Sequence, residues 1–294
     1  MLENFKKYSK FIFPQRLILP IVGLIAGAII TVKGIPNLVD VLVACVAIIP
    51  VVISTITING VSDVEIDRIN KPRRALPSGN VSLKNAQYFA TIMAFFGFLI
   101  ASQISLSFLV LLFLFFLGIF LYSVPPIRLR KYFLVSNIIV SLTYALLPLS
   151  WGWILFGDGE FPLIFLAITL ISFPMNCLKD VEDYKGDGRY GVKTIPVVIN
   201  VWNFPRVYLS MLFIAFIVVY WMIFTGILDF FAIYPTTIAA IIGVVLWFLV
   251  NMKMPGVISR PADAIVSHSI LLSYSILLGS IIEFGYAITY WGMV

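Results

Sequence analysis

Long apolar runs alternate with short polar stretches along the chain. Nine of them are long enough for a helix to cross a bilayer core, which takes about 20 residues. They centre near Ala26, Ala47, Ala94, Leu112, Leu142, Leu166, Ile214, Ile238 and Ser275. The runs are too continuous for membrane-barrel strands, which alternate over about ten residues. Several contain Gly or Pro, which membrane helices accommodate. The pattern predicts an all-α, polytopic membrane protein with nine transmembrane helices, forming one domain over residues 1–294.

Composition sharpens that reading. Of 294 residues, 61% are hydrophobic and 12% charged, and the mean hydropathy is +1.04. A soluble domain with so few polar groups could not cover its own surface. A soluble enzyme, a disordered chain and a disulfide scaffold are thereby excluded. Cys45 and Cys177 lie in separate apolar runs and read as small buried hydrophobes. The N-terminal stretch MLENFKKYSKFIFPQR is basic and amphipathic and lacks a small-residue cleavage site, so it reads as retained.

The charges divide unevenly between the loops. With nine spans, 19 of the 20 Lys and Arg fall in the N-terminal segment or in the loops after spans two, four, six and eight. Lys33 alone falls on the other side. The positive-inside rule then places the N-terminus and those loops in the cytoplasm and the C-terminus outside. The net charge of +6 reports this topology and implies no nucleic-acid partner.

The acids are concentrated as well. Seven of the 14 lie in two clusters, Asp63-Val-Glu65-Ile-Asp67 and Asp180-Val-Glu182-Asp183-Tyr-Lys-Gly-Asp187. Each directly follows a span, the second and the sixth. At about 100° per helical residue, Asn59, Asp63 and Asp67 stay within about 80° of arc. Asp180, Asp183 and Asp187 stay within about 60°, with Gly186 a candidate break before Asp187. Glu65 and Glu182 fall about 200° from the preceding aspartate, on the opposite side. Two aspartate stripes at one membrane face repel each other unless hard cations intervene. Mg²⁺ is usually held by one or two carboxylates plus phosphate oxygens. Lys71 and Arg74 follow the first stripe, and Arg128 and Lys131 lie in the loop between. They stand ready for the remaining phosphate charge. The pattern reads as a Mg²⁺-diphosphate site at the mouth of an apolar bundle, suited to an isoprenoid diphosphate. A dry cavity would protect an allylic cation from water.

At these residues the chain resembles the UbiA superfamily of intramembrane prenyltransferases. Asn59, Asp63 and Asp67 match its first motif, NxxxDxxxD. Asp180, Asp183 and Asp187 match its second. The stretches from Asn70 to Gly79, from Tyr122 and Ser123 to Arg128, and from Gly188 to Pro196 look like its flanking loops. The resemblance implies nine helices around a central cavity that opens laterally to membrane lipid. It implies that Asp63, Asp67, Asp180 and Asp187 hold Mg²⁺-diphosphate, with Asp183 as a further metal ligand. It also implies head-group contacts from Asn59, Arg74, Arg128 and Lys193, with Lys71, Tyr122, Ser123 and Lys131 beside them.

The run KDVEDYKGDGRYGVKTIPV looks most like the archaeal branch. That branch joins geranylgeranyl diphosphate to geranylgeranylglyceryl phosphate. Met175-Asn176 departs from the Arg-Glu of many relatives. Prenylation of an aromatic quinone precursor is the alternative reaction. A cation-coupled transporter is the alternative class, although transporters more often bury their acids near the midplane. A lipid-binding protein without activity is the other rival. His268 reads as a packed residue. Glu283, near the outer end of its span, reads as functional or as snorkelling to the interface. Asn80-Val-Ser82 fits a glycosylation pattern, but on a cytoplasmic loop.

Overall fold

A computed structural model of the chain describes residues 14–157, 159–259 and 270–291. Among them there are helices and no strand. In chain order they are α1 (Pro14–Val32), α2 (Leu38–Ser62), α3 (Val64–Asn70), α4 (Leu83–Ile104), α5 (Leu106–Ser123), α6 (Val135–Ser141), α7 (Leu147–Phe156), α8 (Ile164–Asn176), α9 (Lys179–Arg189), α10 (Ile195–Ile199), α11 (Phe204–Phe224), α12 (Ile233–Ser259) and α13 (Ile270–Trp291). A π-helical turn, Leu142–Leu146, joins α6 to α7 in one bent unit. His268, the first 13 residues and the last three lie outside the described residues.

The predicted runs are helical, but the count of crossings differs. Six segments are long and apolar enough to cross a membrane: Leu38–Ser62, Leu83–Ile104, Leu106–Ser123, Val135–Phe156, Val201–Phe224 and Phe230–Phe248. α8 and α9 make a seventh only as a pair bent by 55°. Among the described residues the count is therefore six or seven, and the expected nine is not reached. One reason is the first run, whose apolar helix Arg16–Val32 is short. Another is the sixth, which stops after 13 residues. Pro174 sits in its last turn. The backbone there tightens to three-residue spacing, with Cys177 and Leu178 donating to the carbonyls of Pro174 and Met175. The ninth run centres on Ser275, whose side chain is outside those described.

Among the described residues two large apolar clusters fill the interior, with a smaller one around Val64, Ala75 and Leu76. One joins α2, α4, α5 and α7 around Ile48, Val52, Phe108, Phe115 and Trp151. The other joins α8, α11, α12 and α13 around Phe165, Ile168, Phe204, Tyr208 and Tyr286. Large apolar side chains such as Phe95, Leu106, Phe213 and Phe224 point outward, as lipid contact requires.

α1 and α7 seam the two clusters, and they meet at backbone distance. A Cβ on Gly27 would stand 2.1 Å from the Leu149 carbonyl oxygen, and one on Gly152 would stand 2.2 Å from the Ala28 nitrogen. Small residues permit such approach where apolar solvent supplies little drive for association. Gly152→Val is expected to force these helices apart, destabilising the protein by about 1–3 kcal/mol. A lowered thermal midpoint of the purified protein in detergent measures it.

Candidate active site

The site is built where two helices break. α2 ends at Asp63, whose backbone leaves the helical region (φ −103°, ψ 9°), and α3 begins at the next residue. The break does not cost the register. The amides of Asp63, Asp67 and Lys71 donate to the carbonyls of Asn59, Asp63 and Asp67 at 3.0, 2.8 and 2.7 Å. The four-residue stripe expected of one continuous helix therefore survives.

The second cluster lies on α9. Gly186 does not break it, since the helix runs on to Arg189. The glycine serves a close approach instead. A Cβ there would lie 2.5 Å from the Asn70 Nδ2 atom. Asn70, 2% exposed, donates from Nδ2 to the Asp183 carbonyl at 2.9 Å and accepts the Gly186 amide on Oδ1 at 2.8 Å. One side chain thus clamps α3 to α9 and sets the spacing between the two aspartate motifs.

Cations occupy that spacing. Arg130 donates to Asp63 and, at 2.7 Å, to Asp187. Arg128 holds the other oxygen of Asp63 at 2.8 Å, and Arg74 holds Asp67 at 2.8 Å. Lys71 pairs with Asp183. Lys179 meets Asp180 at 2.9 Å, and Asn137 donates to the same carboxylate at 3.0 Å. Asn59 bridges Asp63 and Ser123 at 2.9 and 3.1 Å. The Tyr122 hydroxyl accepts from Lys179 at 3.3 Å. Glu65 faces away and pairs with Arg68, as the helical arc predicts. Arg128 takes up the left-handed region (φ 40°), which costs a non-glycine residue about 1–2 kcal/mol. Such strain collects where a side chain must be aimed.

Part of this network faces a cavity of about 880 Å³, mouth included. Asp63, Asp67, Asp183, Lys71, Arg74, Arg130 and Lys179 line its polar end, and Leu19, Ile56, Ile119 and Val140 its apolar wall. Asn59, Tyr122, Tyr144 and Asn176 lie on it as well, with Asn176 held by Ser141 at 3.1 Å.

Of the predicted residues, Asn59, Asp63, Asp67, Lys71, Arg74, Tyr122 and Asp183 reach the cavity. Ser123, Arg128, Asp180 and Asp187 are hydrogen-bonded to residues of the wall but are not on it. Two others stand apart. Lys131 and Lys193 are exposed and absent from the cavity wall, and they meet only through the Lys193 amide and the Lys131 carbonyl at 3.2 Å. Among the described residues, no three acidic groups cluster closely enough to hold a metal ion unaided. Sequence reasoning missed Asn70, Asn137, Arg130, Lys179 and Arg16. Arg130 is two residues from Arg128 and Lys179 is next to Asp180, so proximity to the motifs was an available signal.

The fold and the site define a helical, multi-pass membrane enzyme with a charged mouth on an apolar cavity. The chain belongs to the UbiA prenyltransferase family, which matches residues 20–273, and it is a prenyltransferase. It is similar to the digeranylgeranylglyceryl phosphate synthase of Pyrococcus horikoshii, with 32% identity over 66% of this chain and 69% of that one. The enzyme of that name from Sulfurisphaera tokodaii is 32% identical over 55% of this chain and 60% of its own. A solved UbiA homolog from Archaeoglobus fulgidus, bound to GPP and Mg²⁺, superposes with a TM-score of 0.73 at 17% identity, covering 97% of this chain and 99% of the other.

Asn70→Ala is expected to cost about 1–3 kcal/mol, because it removes both hydrogen bonds that tie α3 to the α9 backbone. Gly186→Ala should do the same by steric conflict. Thermal unfolding in detergent measures both, and intact stability in both variants would contradict the clamp.

Proposed function

We propose that the protein transfers a geranylgeranyl group from geranylgeranyl diphosphate to the free hydroxyl of geranylgeranylglyceryl phosphate. The allylic C–O bond breaks, the electron pair leaves with the diphosphate, and the glycerol oxygen bonds to the freed carbon as its proton departs. The observation that carries this reading is the joining of an apolar wall to a mouth of aspartates and guanidinium groups in one cavity. The similarity to synthases of that name supports the acceptor.

Asp63, Asp67, Asp180, Asp183 and Asp187 would hold Mg²⁺. The donors fit a hard cation that expects phosphate oxygens to complete its shell. The Asp187 Oδ2 atom is buried without a hydrogen-bond partner. When bound, the metal supplies charge neutralisation of the departing diphosphate. The chain does the rest. The Nε donors of Arg128 and Arg130 are buried without partners and are suited to the diphosphate oxygens. Asn59 and Ser123 keep Asp63 in place. The apolar wall excludes water from the electron-poor carbon.

The same reading covers the topology. α1, the bent pair α8–α9, and α13 complete nine crossings of a single domain, with the N-terminus and the site loops cytoplasmic and the C-terminus outside. A reporter fused after Val294 should be active only on the outer side.

Purified protein with Mg²⁺, geranylgeranyl diphosphate and geranylgeranylglyceryl phosphate is expected to yield the diether phosphate. Asp63→Ala and Asp187→Ala are each expected to lower kcat/KM at least about 100-fold, from the loss of charged contacts in a dry site. Unchanged activity would sink the site. Offered in competition, an aromatic acid should remain unprenylated, and transfer to the ring alone would overturn the acceptor.

A further inference from the structure

Asn59 and Asn176 stand four residues before the first aspartates of their motifs, Asp63 and Asp180. Both line the cavity. Each gives its amide nitrogen to a serine on a neighbouring helix. Asn59 donates to Ser123 of α5 at 3.1 Å, and Asn176 donates to Ser141 of α6 at 3.1 Å. They differ in what they do for the aspartates. Asn59 also donates to Asp63 at 2.9 Å. At Asp180 that place is taken by Asn137 and Lys179, and Asn176 turns to Ser141 instead.

An amide is planar. With the nitrogen of Asn176 fixed on Ser141, the carbonyl oxygen is turned away from that contact, toward the cavity that the side chain lines. Ser141 follows Val140 of the apolar wall, and Lys179 of the polar end comes three residues after Asn176. Asn176 thus marks the boundary between mouth and wall. The reacting carbon of a prenyl diphosphate must lie at such a boundary, because it is the first carbon beyond the diphosphate. A hydroxyl brought to that carbon needs a group to accept its hydrogen bond. Lys and Arg carry donors alone. Asp63, Asp67, Asp180 and Asp183 are engaged by cations. Asn59 is committed to Asp63 and Ser123, and the Tyr122 hydroxyl accepts from Lys179. The Asn176 carbonyl is a neutral acceptor at the depth where the hydroxyl must arrive.

We propose that Asn176 receives the hydroxyl of the acceptor lipid and aims its oxygen at the allylic carbon. The inference rests on the functional reading above and adds the group that places the nucleophile. The hydroxyl hydrogen points to Oδ1, which leaves an oxygen lone pair facing the carbon. The bond from that carbon to the diphosphate breaks, the electron pair leaves on the diphosphate, and the hydroxyl oxygen forms the new C–O bond. An amide is too weak a base to keep the proton, which passes to the departing diphosphate. Ionisation of the donor is left to the charged mouth. Where the orientation is lost, water competes for the electron-poor carbon.

The test follows both fates of radiolabelled geranylgeranyl diphosphate, the diether phosphate and free geranylgeraniol. It uses the purified full chain, Mg²⁺ and geranylgeranylglyceryl phosphate. Asn176→Leu is expected to lower kcat for ether formation about 10- to 100-fold. The KM for the donor should stay unchanged, and the share of donor that ends as the alcohol should rise. Asn176→Asp keeps an acceptor oxygen in the same place and should recover most of the ether formation. Ser141→Ala cuts the anchor from outside the cavity wall and should shift the product ratio the same way by less. It carries the test if the leucine variant is unstable. Undiminished ether formation in Asn176→Leu, a raised donor KM, or a loss that leaves the product ratio unchanged would overturn the assignment. Wild-type protein that forms no ether with the glycerol acceptor overturns the functional reading itself, and that result is visible before any variant is made.

Discussion

Five carboxylates crowd the end of an otherwise apolar helical bundle, and four of them are almost fully buried. Buried charge is tolerated only when it is paired and hydrogen-bonded. The cytoplasm-side loops of the predicted topology are rich in Arg and Lys for reasons of membrane insertion, and here the same residues act as counter-ions. Arg130 is the centre of this arrangement, because among the described residues it alone pairs with aspartates of both motifs, Asp63 and Asp187. Removing one partner from such a pair typically costs about 3–5 kcal/mol, since it strands the other. The mouth is thus a balanced electrolyte held by protein, ready for exchange when a ligand brings its own charges.

Backbone geometry makes that balance possible. α2 breaks at Asp63 without losing its four-residue register, so Asn59, Asp63 and Asp67 remain on one face. α8 gives way to α9 through a tightened turn at Cys177 and Leu178, and the 55° bend lays α9 against α3. Asn70 locks the two short helices by reading backbone rather than side chains, which is why Gly186 must lack a Cβ. The π-helical turn at Leu142–Leu146 places Tyr144 on the cavity wall, in keeping with the association of such turns with functional sites.

The aspartate stripes were legible from spacing alone, because helical periodicity survives a break that preserves hydrogen-bond register. The opposite placement of Glu65 followed from the same arithmetic. Lys131 and Lys193 show where that reasoning stops. They sit next to the motifs in sequence, yet loop side chains follow no fixed period, and both point to solvent. For Arg130 and Lys179 the same nearness to the motifs was the available cue, and nothing in the spacing separates them from Lys131 and Lys193. Arg16 looked like a topology signal, and only the packing of α1 against the site turns it toward the cavity.

The sequence by itself determined the helical membrane class, the two motifs and the family they resemble. Each depends on apolar run length or on periodic spacing, which are local properties of the chain. The tertiary structure decided how many helices are long enough to cross and which cations meet which aspartates. It also decided which residues share the cavity. Those are distances between segments far apart in the chain, as with Asn70 and Gly186, 116 residues apart. Such distances are set by where helices break and how closely they pack.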